Sequence, residues 1–138
     1  FDTVFIDAPC SGTGTMRRHP EIPWRLTEKD VTVELPKLQL TMLKEAAARV
    51  AAGGELIYAT CSVFAEENTQ VVDAFLASPE GVGFSVAPLS EAQILQLPDF
   101  EQAKKLVSVR QNDRGLFQSV PVNADSYDGH FCARLVRN

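Results

Sequence analysis

The sequence has no apolar run near the roughly 20 residues that cross a bilayer as a helix, so no membrane partner is expected. Cysteine is scarce: Cys10, Cys61 and Cys132, with no C-x-x-C pair. An odd number at such spacing is not a disulfide framework, and a reducing, cytoplasmic setting is expected. The two histidines, His19 and His130, stand far apart in sequence. Structural zinc needs clustered Cys and His, so no metal is expected. Positive charge is also short, with 13 Lys and Arg against 18 Asp and Glu, a net charge of −5. Bulk electrostatic binding to nucleic acid normally needs a basic domain. The deficit leaves room for a catalytic portion whose basic surface lies elsewhere. Two further absences concern extent. There is no Gly-x-Gly-x-x-Gly turn, which normally opens the cofactor-binding half of an α/β sheet. There is neither a starting Met nor a basic-then-apolar leader, and a strand is expected almost from residue 1. The 138 residues are therefore expected to be part of a longer protein.

Hydrophobic residues make up 45% and charged residues 22%, enough apolar material for one modest core. The run TVFID, residues 3–7, is bounded by turn residues and reads as a strand buried on both faces. Residues 8–33 form a long connection with Gly12, Gly14, Pro20 and Pro23, and connections of this length tend to be functional. Leu35, Leu38, Met42, Ala46 and Val50 recur at helical spacing and predict a helix over 35–51, stopped by Gly53-Gly54. ELIYA, residues 55–59, is a second apolar strand. A helix with Val71, Val72, Phe75 and Leu76 on its apolar side follows, opened by Glu66-Glu67-Asn68. Further strands are expected at 84–89, 116–120 and 130–136, a short helix around 99–106, and a turn over 123–129. This alternation is that of an α/β fold, with a largely parallel sheet and a closing antiparallel edge hairpin.

Ligands of open α/β sheets bind beyond the carboxyl ends of the strands. Cys10 lies three residues past Asp7 and Cys61 two residues past Ala59, each just beyond a strand end. A right-handed crossover through the intervening helix makes the two strands parallel neighbours, roughly 4.8 Å apart. Both thiols and the Asp7 carboxylate are then expected at one cleft. Cys132 sits inside an apolar strand pattern and reads as a small buried hydrophobe. Two other chemistries fail on spacing. From Cys10 the first arginine is Arg17, one residue too far for a tyrosine-phosphatase loop, and SGTG lacks the Gly-Lys-Ser/Thr ending of a P-loop.

DAPCSGTG (7–14), RRHPEIPW (17–24), Gln39, AAGGELIYATCSVFAEEN (51–68) and DGHFCARL (128–135) closely resemble the RNA cytosine-5 methyltransferases of the Sun/Nop family, with the bacterial ribosomal-RNA RsmB type nearest. The resemblance spans residues 3–76 and 127–137, and the paired blocks PCSGTG and ATCSV are its specific part. It implies the C-terminal half of a class I, Rossmann-like fold using S-adenosylmethionine, with 1–138 as the C-terminal part of the catalytic domain. The glycine-rich cofactor motif and an RNA-recruiting domain would lie upstream. Cys61 is implied as the nucleophile toward carbon 6 of cytosine and Cys10 as the thiol that assists release. The N-terminus of a helix starting near Ala65 is a candidate for lowering the Cys61 pKa. Asp7 is implied between cofactor and target base, with Pro9 shaping the loop. For Asp7 the alternative is a strand-end carboxylate bonding turn amides.

Arg17, Arg18 and Trp24 carry two readings. They meet RNA phosphate and stack a base, or they are a solvated loop with Trp24 as a core plug. His130 stands where the family usually shows Phe and is given no role, and Glu66-Glu67 is read as helix capping. The expected activity is methylation of cytosine carbon 5 in ribosomal RNA through a covalent cysteine adduct. The alternatives are transfer RNA as substrate, a DNA-type enzyme in which Cys10 attacks, and a non-catalytic segment that binds RNA or a partner.

Overall fold

The computed structural model describes residues 1–123 and 127–138. Its elements in chain order are β1 (Thr3–Asp7), α1 (Ile22–Arg25), α2 (Leu35–Ala47), β2 (Glu55–Thr60), α3 (Thr69–Leu76), β3 (Phe84–Val86), α4 (Glu91–Ile94), α5 (Phe100–Arg110), β4 (Phe117–Ser119) and β5 (His130–Arg137). A wider π turn, Asp30–Glu34, leads into α2. Of the expected turn over 123–129, residues 124–126 lie outside the described residues.

One sheet runs in the order β1-β2-β5-β3, with β4 also pairing β5. β1 and β2 are parallel, with Asp7 opposite Ala59. β5 is antiparallel to β2, β3 and β4. Four of the five strands thus share a direction and β5 alone is reversed, which bears out the α/β class. The hairpin is placed differently from the expectation. β4 and β5 do form an antiparallel pair, but β5 is inserted in the sheet interior between β2 and β3, not along its edge. Its length explains this. Leu135–Arg137 pair with β3 and His130–Cys132 with β4, so two short strands lie end to end along one side of β5 while β2 takes the other.

Period-2 patterning decides which face is filled. Leu56, Tyr58 and Thr60 of β2 stand opposite Leu135, Ala133 and Phe131 of β5, and all six are buried. Leu43 and Ala47 of α2 and Val71, Val72 and Phe75 of α3 close over them, with Ile6 of β1. Tyr58 and Phe131 meet edge to face at 6.2 Å, as do Phe75 and Phe84 at 5.5 Å, the geometry aromatic quadrupoles favour.

β1 is buried on one face, not two. Phe5 is 62% exposed, because α2 covers only the Ile6 side of this outermost strand. The helix expected over 35–51 ends at Ala47, and residues 48–50 turn before Gly53, whose φ of +74° reverses the chain into β2. α3 begins at Thr69 after a turn over 65–68, so Glu66-Glu67 precede the helix. The helix expected around 99–106 is α5, capped by the Asp99 side chain on the Gln102 amide. Among the described residues no helix is long and apolar enough to cross a membrane, and no His, Cys, Asp and Glu cluster suits a metal ion.

Candidate active site

The parallel register of β1 and β2 brings the turns after Asp7 and Ala59 out at one end of the sheet. The Ala8 amide extends the ladder by donating to the Ala59 carbonyl at 2.9 Å. Beyond it the chains diverge into the two cysteine turns, where Cys10 Sγ and Cys61 Sγ lie 3.4 Å apart. Both are free thiols and half-buried. Cys132, half-buried opposite Ala59 in β5, is a separate free thiol.

Burial, first, and the neighbouring Cys61 sulfur push the Cys10 thiol up to about 12, against a weaker opposing pull from the Gly12 amide. Cys10 therefore keeps its proton at neutral pH, and either sulfur can be the donor in the sulfur–sulfur contact. Such a thiol is suited to lending a hydrogen bond, not to attacking.

Gly14 clasps the turns together. Its amide donates to the Cys61 carbonyl at 2.8 Å, and its own carbonyl accepts from the Gly129 amide at 2.8 Å. A Cβ on Gly14 would sit 2.1 Å from the Gly129 carbonyl oxygen and 2.8 Å from that of Cys61. Only a hydrogen fits where three backbone segments meet. This is the physical reason that PCSGTG, ATCSV and DGH belong to one site.

Behind the sulfurs lies a buried polar layer. Ser62 Oγ donates to Glu67 Oε2, while Glu67 Oε1 accepts from the Ser11 amide at 2.8 Å and from Gln39 Nε2 at 3.0 Å. Tyr58 Oη donates to the Glu67 carbonyl at 2.6 Å, and Thr60 Oγ1 to Asn68 Oδ1 at 2.6 Å. Glu67, Asn68, Gln39 and Ser62 are all fully buried. Burial raises the Tyr58 pKa, with the Glu67 charge adding to it. Reading Glu67 as a helix cap is therefore incorrect, since its donors come from the two cysteine turns and α2. One signal was visible in the sequence. Cys10 and Cys61 are each followed by serine, and a carboxylate shortly after the second Cys-Ser pair is a natural acceptor for the Ser62 hydroxyl.

The other expected site residues are distributed around this centre. Asp7 is exposed at the end of β1, and its carboxylate has no hydrogen-bond or ion-pair partner among the described residues. The alternative of a carboxylate tied to turn amides is not what the structure has. Pro9 is exposed, and its carbonyl accepts from Gln39 Nε2 at 3.0 Å. Arg18 pairs with Asp128 at 2.6 Å and Arg17 with the same carboxylate at 3.4 Å. Arg18 holds the Asp128 carboxyl below the usual range. The basic cluster is thus partly neutralised by an acid the sequence did not assign to it. Trp24 is 89% exposed, so it is not a core plug. An open pocket of about 310 Å³ is lined by Cys10, Ser11, Ile22, Arg25 and Leu26. A neighbouring apolar one, lined by Met16, Pro23, Val31 and Phe64 among others, contains neither sulfur.

Residues 1–136 match the family described as 16S rRNA methyltransferase RsmB/F. The chain belongs to that family. Among curated relatives it is 36% identical over 138 residues to the ribosomal RNA small subunit methyltransferase B of Pectobacterium atrosepticum, covering all of this chain and 27% of that protein. It is 35% identical over 137 residues to the methyltransferase B of an Escherichia coli O6:K15:H31 strain, covering 99% of this chain and 26% of that protein. The crystal structure of PH0851 superposes with a TM-score of 0.73 at 35% identity, over 97% of this chain and 26% of that one. NSun6 from Pyrococcus horikoshii, solved with SFG, has the same fold at 21% identity and a TM-score of 0.67, over 96% of this chain and 29% of that one. The chain thus spans about a quarter of the length of these relatives. The RsmB/F family match covers both cysteine turns, Gln39, Glu67 and the Asp128-Gly129 turn.

Proposed function

We propose that the chain is the C-terminal part of the catalytic domain of an enzyme that methylates carbon 5 of a cytosine in RNA, ribosomal RNA in particular, with Cys61 as nucleophile and Cys10 as its release partner. The observation that carries this reading is the 3.4 Å approach of two free thiols beyond adjacent parallel strands. It is supported by the family's RsmB/F description and the ribosomal-RNA names of the relatives.

Carbon 5 of cytosine is a weak nucleophile. Addition of the Cys61 thiolate at carbon 6 displaces the C5–C6 π electrons into the ring, and carbon 5 becomes enamine-like. Bound S-adenosylmethionine supplies an electrophilic methyl group. After transfer, the carbon-5 proton is lost to water, its bonding pair restores the C5–C6 double bond, and the C6–S bond breaks with its electrons on Cys61. Cys10, still protonated, donates its S–H to that sulfur as negative charge develops there.

The residues present fit the cofactor and base. The unpartnered Asp7 carboxylate at the end of β1 is a free acceptor, suited to the ammonium of the methionine portion and to the exocyclic amine of cytosine. Pro9 gives that acceptor an apolar flank. The target base reaches the sulfurs only when unstacked. Arg17 and Arg18 meet RNA phosphate, and exposed Trp24 stacks a base.

The test uses a protein of the relatives' full length carrying this chain, with RNA and S-adenosylmethionine. Cys10→Ala accumulates a protein–RNA adduct that survives denaturation, and Cys61→Ala forms none. Accumulation in Cys61→Ala alone would make Cys10 the nucleophile and overturn the assignment. Absence of methylation by the unmodified protein would overturn the activity itself.

A further inference from the structure

Each of the two cysteine turns is tied to the same side chain. The amide of Ser11, the residue after Cys10, donates to Glu67 Oε1 at 2.8 Å, and the hydroxyl of Ser62, the residue after Cys61, donates to Glu67 Oε2. Ser11 Oγ also donates to Ser62 Oγ at 3.2 Å, closing a ring of contacts beneath the sulfurs. Gln39 Nε2 completes the set, bonding Glu67 Oε1 and the carbonyl of Pro9, the residue before Cys10, each at 3.0 Å. Cys10 is thereby held on both sides of its backbone.

We propose that Glu67, assisted by Gln39, is the positioning residue of the thiol pair: its carboxylate sets the separation and mutual facing of Cys10 and Cys61. The inference rests on the dithiol reading of the site given above.

Three observations favour positioning over plain stability. Glu67 is fully buried, and a buried carboxylate adds little stability compared with an apolar side chain of its size. Its retention in the core calls for a geometric reason. The carboxylate caps no helix, as its side-chain donors are Ser11, Ser62 and Gln39. Its own backbone is pinned by the Tyr58 hydroxyl from β2, so the carboxylate is held from the sheet while it holds the loops. A sulfur that attacks carbon 6 and a second thiol that donates to it as it leaves need mutual placement within a fraction of an ångström, which loops by themselves do not supply.

The experiment compares the unmodified full-length protein with Glu67→Gln and Ser62→Ala, using phenylarsine oxide as probe. The arsenical closes a ring with two neighbouring thiols and releases water, so it reports their facing without RNA or methyl donor. In the unmodified protein a bridge requiring both Cys10 and Cys61 is expected. In folded Glu67→Gln the arsenical affinity falls at least about tenfold, and kcat falls by about 10²-fold with KM values within about twofold. Ser62→Ala leaves the carboxylate its other two donors, so it carries the test if Glu67→Gln does not fold, and the same direction is expected. Arsenical affinity and kcat both unchanged in either folded variant, or no bridge in the unmodified protein, would overturn the proposal. Bridging without any methylation would sink the methyltransferase reading alone, and Glu67 would then stand or fall on the arsenical.

Discussion

Cys10 and Cys61, 51 positions apart in the chain, meet at 3.4 Å between sulfurs, and burial holds the Cys10 thiol protonated. Neither turn brings its cysteine there alone. The parallel pairing of β1 and β2 sets their common end, and the Gly14 clasp and the Glu67 carboxylate set the final approach.

The Cys10 proton gives a stability signature in alkali. In the fold the thiol titrates near 12, while an unfolded thiol titrates near 9. The folded state thus binds the proton more tightly. The resulting stability is complete below about pH 9 and is lost as pH rises toward 12. Cys132 and Tyr58, also raised by burial, act in the same direction. Urea unfolding of the full-length protein from about pH 8 to 10.5 should show falling stability, with a shallower fall in Cys10→Ser. An equal slope in both proteins would contradict the assigned direction.

Gly14→Ala should disrupt fold and site together. Its new methyl would overlap the Gly129 and Cys61 carbonyls, both backbone. Overpacking of this kind costs about 1–3 kcal/mol or more. Phenylarsine oxide bridging should weaken in parallel, because the same clasp holds the Cys61 turn. A melting temperature and arsenical affinity equal to those of the unmodified protein would show that the three segments separate without cost.

Arg18 and Asp128 make an exposed ion pair that RNA phosphate would have to share. Arg18→Ala should weaken RNA binding and lower the slope of log affinity against log salt by about one. Asp128→Asn should have the opposite effect on affinity, since it frees the guanidinium. A fall in affinity with Asp128→Asn would mean that the pair is needed to shape the surface.

Trp24, at 89% exposure, separates binding from folding cleanly. Trp24→Ala should change stability by no more than about 0.5 kcal/mol. If the indole stacks a base, the substitution should weaken RNA binding by about 1–3 kcal/mol. Fluorescence titration with an RNA fragment measures it, and unchanged affinity would remove Trp24 from the interface.

Strand ends and turn chemistry are local properties, and the sequence determined them. TVFID and ELIYA announce strands by apolar runs between turn residues, and a cysteine after each, with one crossover between, was enough to place both thiols at one cleft. The α/β class followed from the same alternation. Tertiary structure decided what depends on partners distant in sequence. β5 lies inside the sheet because its length accommodates β3 and β4 along one side, which no pattern within β5 reveals. Phe5 is exposed because α2 covers one face of β1 only. Glu67 looked like a residue opening a helix, and became the common acceptor of two loops because Ser11, Ser62 and Gln39 converge on it from three separate segments. Arg18 looked like a free cation until Asp128, 110 positions later, was folded against it. Periodicity records which face a residue turns inward, while the identity of its partner is fixed only when the chain closes.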